Sequence, residues 1–233
     1  KDKDFPILIK FIDAKQSLSV QVHPDDKYAL LHEGESGKTE MWYVMDATPD
    51  ATLIYGFTHE ISHQEFERRI KDNTLLEVCN QVPIKKGDVF FIEAGTLHAI
   101  GAGALIAEIQ QSSNSTYRVY DYGRVGKDGK LRELHIEKAL AVTKLEPPTR
   151  KPEPIAKLTA FADYDLTILA QCELFNVSHF DLHGNCSLSA KKDSFHSILV
   201  LDGQIALTYG NDSFTITKGE SVFIPADMGE YIL

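Results

Sequence analysis

The 233-residue sequence predicts a mainly β protein, built as two small barrels with a few short helices. Three observations carry that expectation. Short strand-like segments dominate the chain, a proline-rich stretch divides it, and a weak repeat relates the parts on either side.

In the first part, residues 7–12, 17–23, 41–46, 52–56, 88–93, 104–110 and 116–122 are rich in Val, Ile, Phe and Tyr. Gly, Asp and Pro punctuate them, as strand ends require. In "SLSVQVHPDD" (17–26), Leu18, Val20 and Val22 alternate with Ser19, Gln21 and His23. Successive strand side chains point to opposite faces, so one face is apolar and the other carries a hydroxyl, an amide and an imidazole. Two segments read as helices. "SHQEFERRIKDNTLLEVCNQ" opens with Ser62 and Glu65 in capping-box spacing, which predicts an inserted helix over about 62–80. "ELHIEKALAVTK" supplies a shorter one.

"KLEPPTRKPEP" (144–154) holds four prolines and mixed charge and reads as a linker. The expected organisation is a first barrel over 1–145, a linker over 146–155 and a second barrel over 156–233. Beyond the linker the strand pattern resumes at 165–171, 174–181, 186–191, 197–201, 204–209, 213–217 and 221–224. The repeat pairs "GDVFFIEAGTLH" with "GESVFIPADMGE", "EMWYVMDA…LIYG" with "HSILVLDG…LTYG", and "SLSVQVHP" with "SLSAKKDS".

In a barrel, alternate residues point inward, so the Ser19–Gln21–His23 row would line a pocket. Glu40 opens the strand "EMWYV", and His98 ends "GDVFFIEAGTLH". His23, Glu40 and His98, with Gln21 as an added oxygen donor, form a shell suited to Zn²⁺ or another divalent first-row ion. The repeat is an internal control. It replaces Gln21 by Lys191, His23 by Asp193, Glu40 by His196 and His98 by Glu230, so the second half keeps no such set. The plainer alternative is that polar residues simply vary between the two barrels. Lys38 alone reads as a loop lysine, Trp42 as core, and "TYRVYDYGR" as an aromatic strand edged by Arg118 and Arg124.

Hydrophobic residues make up 43% of the chain, enough for one large core or two smaller ones. The net charge of −10 argues against nucleic acid or an anionic membrane as the main partner, while a small phosphorylated ligand needs only a few local cations. No apolar run is long enough to span a bilayer, and no signal-peptide pattern occurs. Cys79, Cys172 and Cys186 are widely separated and read as reduced thiols in a cytoplasmic protein. The chain opens on "KDKDFPILIKF" without Met and ends on apolar residues, so it is expected to be part of a longer protein.

"LSVQVHPDD", "GKTEMWYV", "GDVFFIEAGTLHAIG" and "NSTYRVYDYGR", in this order, resemble the motifs of the type I phosphomannose isomerases, and of their short bacterial form in particular. The resemblance spans essentially the whole chain. It implies a cupin fold, one bound Zn²⁺, and interconversion of mannose 6-phosphate and fructose 6-phosphate. It also implies that an N-terminal stretch is absent from this sequence. Gln21, His23, Glu40 and His98 match the family's metal ligands, Arg118 its active-site arginine, Lys38 a lysine of the pocket, and Ser19 a serine associated with phosphate. Glu108 falls near the family's pocket glutamate, one candidate for the base in an enediol proton transfer; a metal-ligated group and Lys38 are the others. Two rival functions stand beside this one: another metal-dependent cupin enzyme such as an oxygenase, and a non-catalytic sugar-phosphate-binding protein with two cupin domains.

Overall fold

The computed structural model describes residues 5–126 and 128–233. Lys1–Asp4, on which the expectation of a preceding segment partly rests, lie outside the described residues. The chain forms two compact units, one of residues 1–155 and 169–177, the other of 156–168 and 178–233.

In the first unit the elements follow in order β1 (Ile7–Ala14), β2 (Val20–Val22), α1 (Asp26–His32), β3 (Glu40–Ala47), β4 (Thr52–Phe57), α2 (His63–Lys71), β5 (Cys79–Pro83), β6 (Val89–Ile92), β7 (His98–Ile100), β8 (Ala104–Gln111), β9 (Tyr117–Tyr120) and α3 (Ile136–Val142). They build two sheets, a four-stranded one ordered β1-β8-β3-β6 and a five-stranded one ordered β5-β4-β7-β2-β9.

Strand alternation sorts the side chains into three layers. Trp42, Val44, Leu53, Tyr55, Phe90, Ile100 and Ile106 come from both sheets and form one buried core between them. Val20, Val22, Ile54, Ala99 and Val119 point the other way from the five-stranded sheet and meet Phe66 and Ile70 of α2 and Ala139 of α3. Met41, Val89, Phe91 and Ile109 cover the outer face of the four-stranded sheet and meet Leu169, Ala170 and Phe175. Several strands are therefore buried on both faces, although β1 leaves Leu8 and Phe11 exposed, and this explains near-continuous apolar runs such as "VFFI" in β6. The inward face between the sheets is where Ser19, Gln21 and His23 belong, because Val20 and Val22 occupy the outward one.

The second unit contains β10 (Thr159–Ala160), most of β11 (Tyr164–Gln171) and β12 (Asn176–Leu182), then β13 (Ser187–Ala190), β14 (His196–Leu199), β15 (Gln204–Tyr209), β16 (Asp212–Thr217), β17 (Ser221–Ile224) and β18 (Gly229–Ile232). Its sheets are ordered β10-β11-β12, β13-β18-β15-β16 and β14-β17. The repeat read from the sequence reappears in the pairing. Glu40 to Tyr43 pair with Ile92 to Val89, and His196 to Leu199 pair with Ile224 to Ser221, at matched positions. Among the described residues the second half holds no His/Glu/His cluster. His196, which stands where Glu40 would be, instead meets the Tyr231 hydroxyl at 2.7 Å.

The expectation of a mainly β, cupin-type chain with a few short helices holds, but three details differ. No closed barrel is found among the described residues. The ladders end at β1 and β6 on one sheet and at β5 and β9 on the other, so the strands form facing sheets. The helix expected over 62–80 stops at Lys71. Half of the expected capping box forms: the Glu65 amide donates to Ser62 Oγ at 3.1 Å, while the Glu65 carboxylate takes Arg69 Nε at 2.7 Å instead of reaching back to Ser62. Asn73 then takes a left-handed backbone (φ 56°), a common way to end a helix, and Cys79 already belongs to a strand. Helix α1 and strand β7 were not expected; each is shorter than the window over which a hydrophobic period stands out. The proline-rich stretch is held onto the first unit: Lys144 N–H donates to Gly95 O at 2.8 Å, and the Arg150 guanidinium lies 4.0 Å from the Phe91 ring centroid. No helix among the described residues is long and apolar enough to cross a membrane.

Candidate metal centre and pocket

Three strands from two sheets bring the expected donors together. His23 follows β2 and His98 opens β7, both on the five-stranded sheet; Glu40 opens β3 on the facing one. Their donor atoms lie within 4.8 Å of one another, and all three side chains are buried. The Nε2 atoms of His23 and His98 are 3.1 Å apart. Glu40 Oε2 is 3.5 Å from His23 Nε2, and Glu40 Oε1 is 3.5 Å from His98 Nε2.

The hydrogen bonds around the rings determine their tautomers. His23 Nδ1 meets Ser115 O at 2.8 Å, and His98 Nδ1 meets Thr96 O at 2.8 Å. A carbonyl only accepts, so each Nδ1 carries the proton. Burial, then the Lys38 ammonium, holds His23 well below the ordinary histidine range, and burial lowers His98 to about 4. Both rings are therefore neutral near pH 7, and each turns a bare Nε2 lone pair toward the other. Burial also raises Glu40 to about 7, with the neighbouring Glu108 adding and Lys38 opposing. Neither Glu40 oxygen has a hydrogen-bond partner of good geometry, although Lys38 Nζ approaches Oε2 at 3.1 Å as an ion pair. Buried polar atoms left this way are costly unless a cation satisfies them.

These residues fit a divalent ion. Metal–nitrogen bonds of about 2.0–2.1 Å at tetrahedral angles place two donors about 3.3 Å apart, close to the spacings seen here. Carbonyl-bonded Nδ1 atoms are the usual way of aiming Nε2 at a metal. Cation uptake requires the Glu40 carboxylate, so at pH 6 it is expected to release close to one proton per site, falling toward none by pH 8. Calorimetric titration with Zn²⁺ in buffers of different ionisation enthalpy measures this number. A pH-independent release would contradict the raised Glu40.

The other expected residues arrange themselves around this centre. Gln21 pairs across the sheet with His98 on one side and Arg118 on the other, on the inward face. Arg118 Nε donates to Ser19 Oγ at 3.2 Å, and Nη1 donates to Glu133 O at 3.0 Å. Gln21 and Arg118 are half-buried, whereas the three donors are sealed from solvent. Lys38, also buried, donates to His23 Nε2 at 3.0 Å. Glu108 takes Lys10 Nζ on Oε1 at 2.9 Å and the Trp42 indole N–H on Oε2 at 3.0 Å. Trp42 lies edge-on to the His98 ring, 5.3 Å between centroids.

Sequence reasoning did not find Lys10, which bonds both Glu108 and Gln110 from the neighbouring strand. A strict alternation of β1 would have placed Lys10 on the inward face with Ile12. Ser115 and Thr96 carried no signal, because they act through backbone carbonyls. Two surface clefts, one along Tyr55, Glu93 and Arg150 and one beside Thr52, Cys79 and Tyr122, exclude the donors.

Facing sheets with two imidazoles and a carboxylate converging between them, in an arrangement that could hold a metal ion, place the chain in the cupin class. Residues 165–233 match the family model described as the cupin domain of mannose-6-phosphate isomerase. A mannose-6-phosphate isomerase of Bacillus subtilis is 40% identical over 230 residues, which is 98% of this chain and 72% of that protein. One of Streptococcus mutans is 38% identical over 97% of this chain and 70% of its own length. The crystal structure of the mannose 6-phosphate isomerase from Bacillus subtilis superimposes with a TM-score of 0.90 at 35% identity, covering 100% of this chain and 73% of that one. The chain belongs to the mannose-6-phosphate isomerase family.

Proposed function

We propose that this chain is an aldose–ketose isomerase that interconverts mannose 6-phosphate and fructose 6-phosphate. The observation that carries this reading is the convergence of His23, Glu40 and His98 beside a buried lysine and a half-exposed arginine, in a chain of this family. The first unit is the catalytic cupin domain and the second its metal-free relative; the boundaries 1–145, 146–155 and 156–233 read from the sequence are the working division.

His23, Glu40 and His98 hold the divalent ion, with the Gln21 amide oxygen beside them as a fourth donor. Three protein donors plus a weak one leave room for substrate oxygens. Zn²⁺ suits this set best, and when bound it supplies Lewis-acid polarisation at the reacting carbonyl.

The chain's own residues supply the rest. Isomerisation moves a proton between two adjacent carbons through an enediol, so it needs a base and a stabiliser of developing negative charge. Arg118 is the stabiliser, since guanidinium stays protonated and donates in a planar fork. Ser19, which Arg118 already contacts, adds a hydroxyl, and the pair with Lys38 gives a phosphorylated substrate its charge-assisted bonds. Glu108 is the base. Lys10 and Trp42 hold its two oxygens and place it beside Glu40. Gln21 and Arg118, the half-exposed members, mark the side from which substrate enters.

The test is an isomerase assay on mannose 6-phosphate under nitrogen, with and without exhaustive chelation. Turnover that is lost with the metal and restored by Zn²⁺ is expected. Full turnover after chelation would remove the metal from the mechanism, and a requirement for oxygen would favour an oxygenase.

A further inference from the structure

The β3·β8 ladder ends at the pair Glu40↔Gln110. The chain before β3 and the chain after β8 nevertheless keep the same register, through side chains. Thr39 and Gln111 exchange bonds: Gln111 N–H donates to Thr39 O at 3.1 Å, and Thr39 N–H donates to Gln111 Oε1 at 2.8 Å. Five residues before Glu40 stands Glu35, and five after Gln110 stands Ser115. Ser115 Oγ donates to Glu35 Oε1 at 2.7 Å, and Asn114 N–H donates to Glu35 Oε2 at 3.1 Å. Two residues further out, the Tyr117 hydroxyl donates to Glu33 Oε1 at 2.7 Å. Between Glu35 and Thr39, Gly37 lies against the backbone of Asp25 and Asp26, where an added Cβ would come within 2.4 Å.

Ser115 is also the residue whose carbonyl takes the His23 Nδ1–H. We propose that Glu35 is a positioning residue for the metal centre: by holding the Asn114–Ser115 loop at two points, it fixes the carbonyl that sets the tautomer and aim of His23. The inference rests on the metal-centre reading above. Glu35 touches neither donor atoms nor substrate. It acts only through Ser115, the way outer partners of ligating histidines act in metal sites generally.

The experiment compares the parent chain with Glu35→Ala, Glu35→Gln and Ser115→Ala, and with Glu67→Ala on the outer helix α2 as a control for lost charge. Zn²⁺ affinity is read by chelator competition, and the Co²⁺-loaded visible spectrum reports the donor geometry. Glu35→Ala is expected to weaken Zn²⁺ binding about 10–100-fold and to shift the Co²⁺ bands, with the metal-free melting midpoint little changed. Glu35→Gln, which keeps length and one acceptor, is expected to recover part of the affinity. Ser115→Ala removes the hydroxyl but keeps the carbonyl, so it is expected to show a smaller loss and to blunt the effect of a second change at Glu35. Should Glu35→Ala not fold, Glu35→Gln and Ser115→Ala carry the same comparison. Affinities within twofold of the parent in these variants, or a loss equal to that of Glu67→Ala, would overturn the proposal while leaving the metal centre standing. A parent chain that takes up no divalent ion would overturn both.

Discussion

His98→Ala is expected to lose bound metal and activity together, with Zn²⁺ affinity down at least about 100-fold and turnover below about 1% of the parent. The change removes one of three protein donors, a larger loss than the about 10–100-fold that follows removal of an outer partner. It also leaves Glu40 more exposed to its own cost: two buried oxygens without good partners then share one imidazole and Lys38. His98 is fully buried and edge-on to Trp42, so the variant also loses packing, and a melting curve must accompany the assay. His23→Ala is the paired measurement and is expected to behave alike. Metal quantification on the purified folded variant, read beside turnover, decides the matter. A His98→Ala protein with full metal and normal rate would show that these three side chains share a space without sharing an ion.

Arg118→Ala should separate what His98→Ala joins. Arg118 is no metal donor; it lies two strands from His98 in the five-stranded sheet, with Gln21 between. Its removal is therefore expected to leave Zn²⁺ content intact while lowering kcat by about 100-fold or more, the usual size for a group that stabilises developing negative charge. KM for the sugar phosphate should also rise, because Ser19 loses its guanidinium neighbour. Arg118→Lys keeps the charge and loses the fork, so recovery should be partial. Part of any effect could come through the loop carrying Glu133, which Arg118 also holds. An unchanged melting midpoint with reduced kcat distinguishes the two. Normal turnover in Arg118→Ala would take the arginine out of the mechanism.

Much of this arrangement is legible in the linear chain because it depends on local period. The alternation of Val20 and Val22 with Ser19, Gln21 and His23 appears in the structure as one apolar face toward the helices and one polar face toward the facing sheet. The N-cap at Ser62 is a four-residue signal, and it forms, with the Glu65 amide on Ser62 Oγ. The duplicated strands are legible as a repeat because equivalent positions take equivalent partners, as Glu40↔Ile92 and His196↔Ile224 show. At the aligned positions Asp193, His196 and Glu230 stand where His23, Glu40 and His98 do.

What the chain order leaves open is everything decided by which strand lies beside which. Lys10 and Glu108 are 98 residues apart, and only the β1·β8 ladder brings them together. Only the family resemblance singles out Glu108 in the sequence; the Trp42 indole and the Lys10 ammonium are what place both its oxygens. The end of α2 at Lys71 coincides with the left-handed turn at Asn73, and the strand that follows, β5, is fixed by its pairing with β4. Whether the strands close or stop as facing sheets depends on edge pairing, which no local pattern encodes. The residue types, their faces and the duplication belong to the sequence, because side-chain period and composition are properties of neighbours along the chain. The meeting of two imidazoles with a carboxylate, and the carbonyls that aim them, belong to the tertiary structure, because each contact joins residues whose proximity exists only once distant strands have paired.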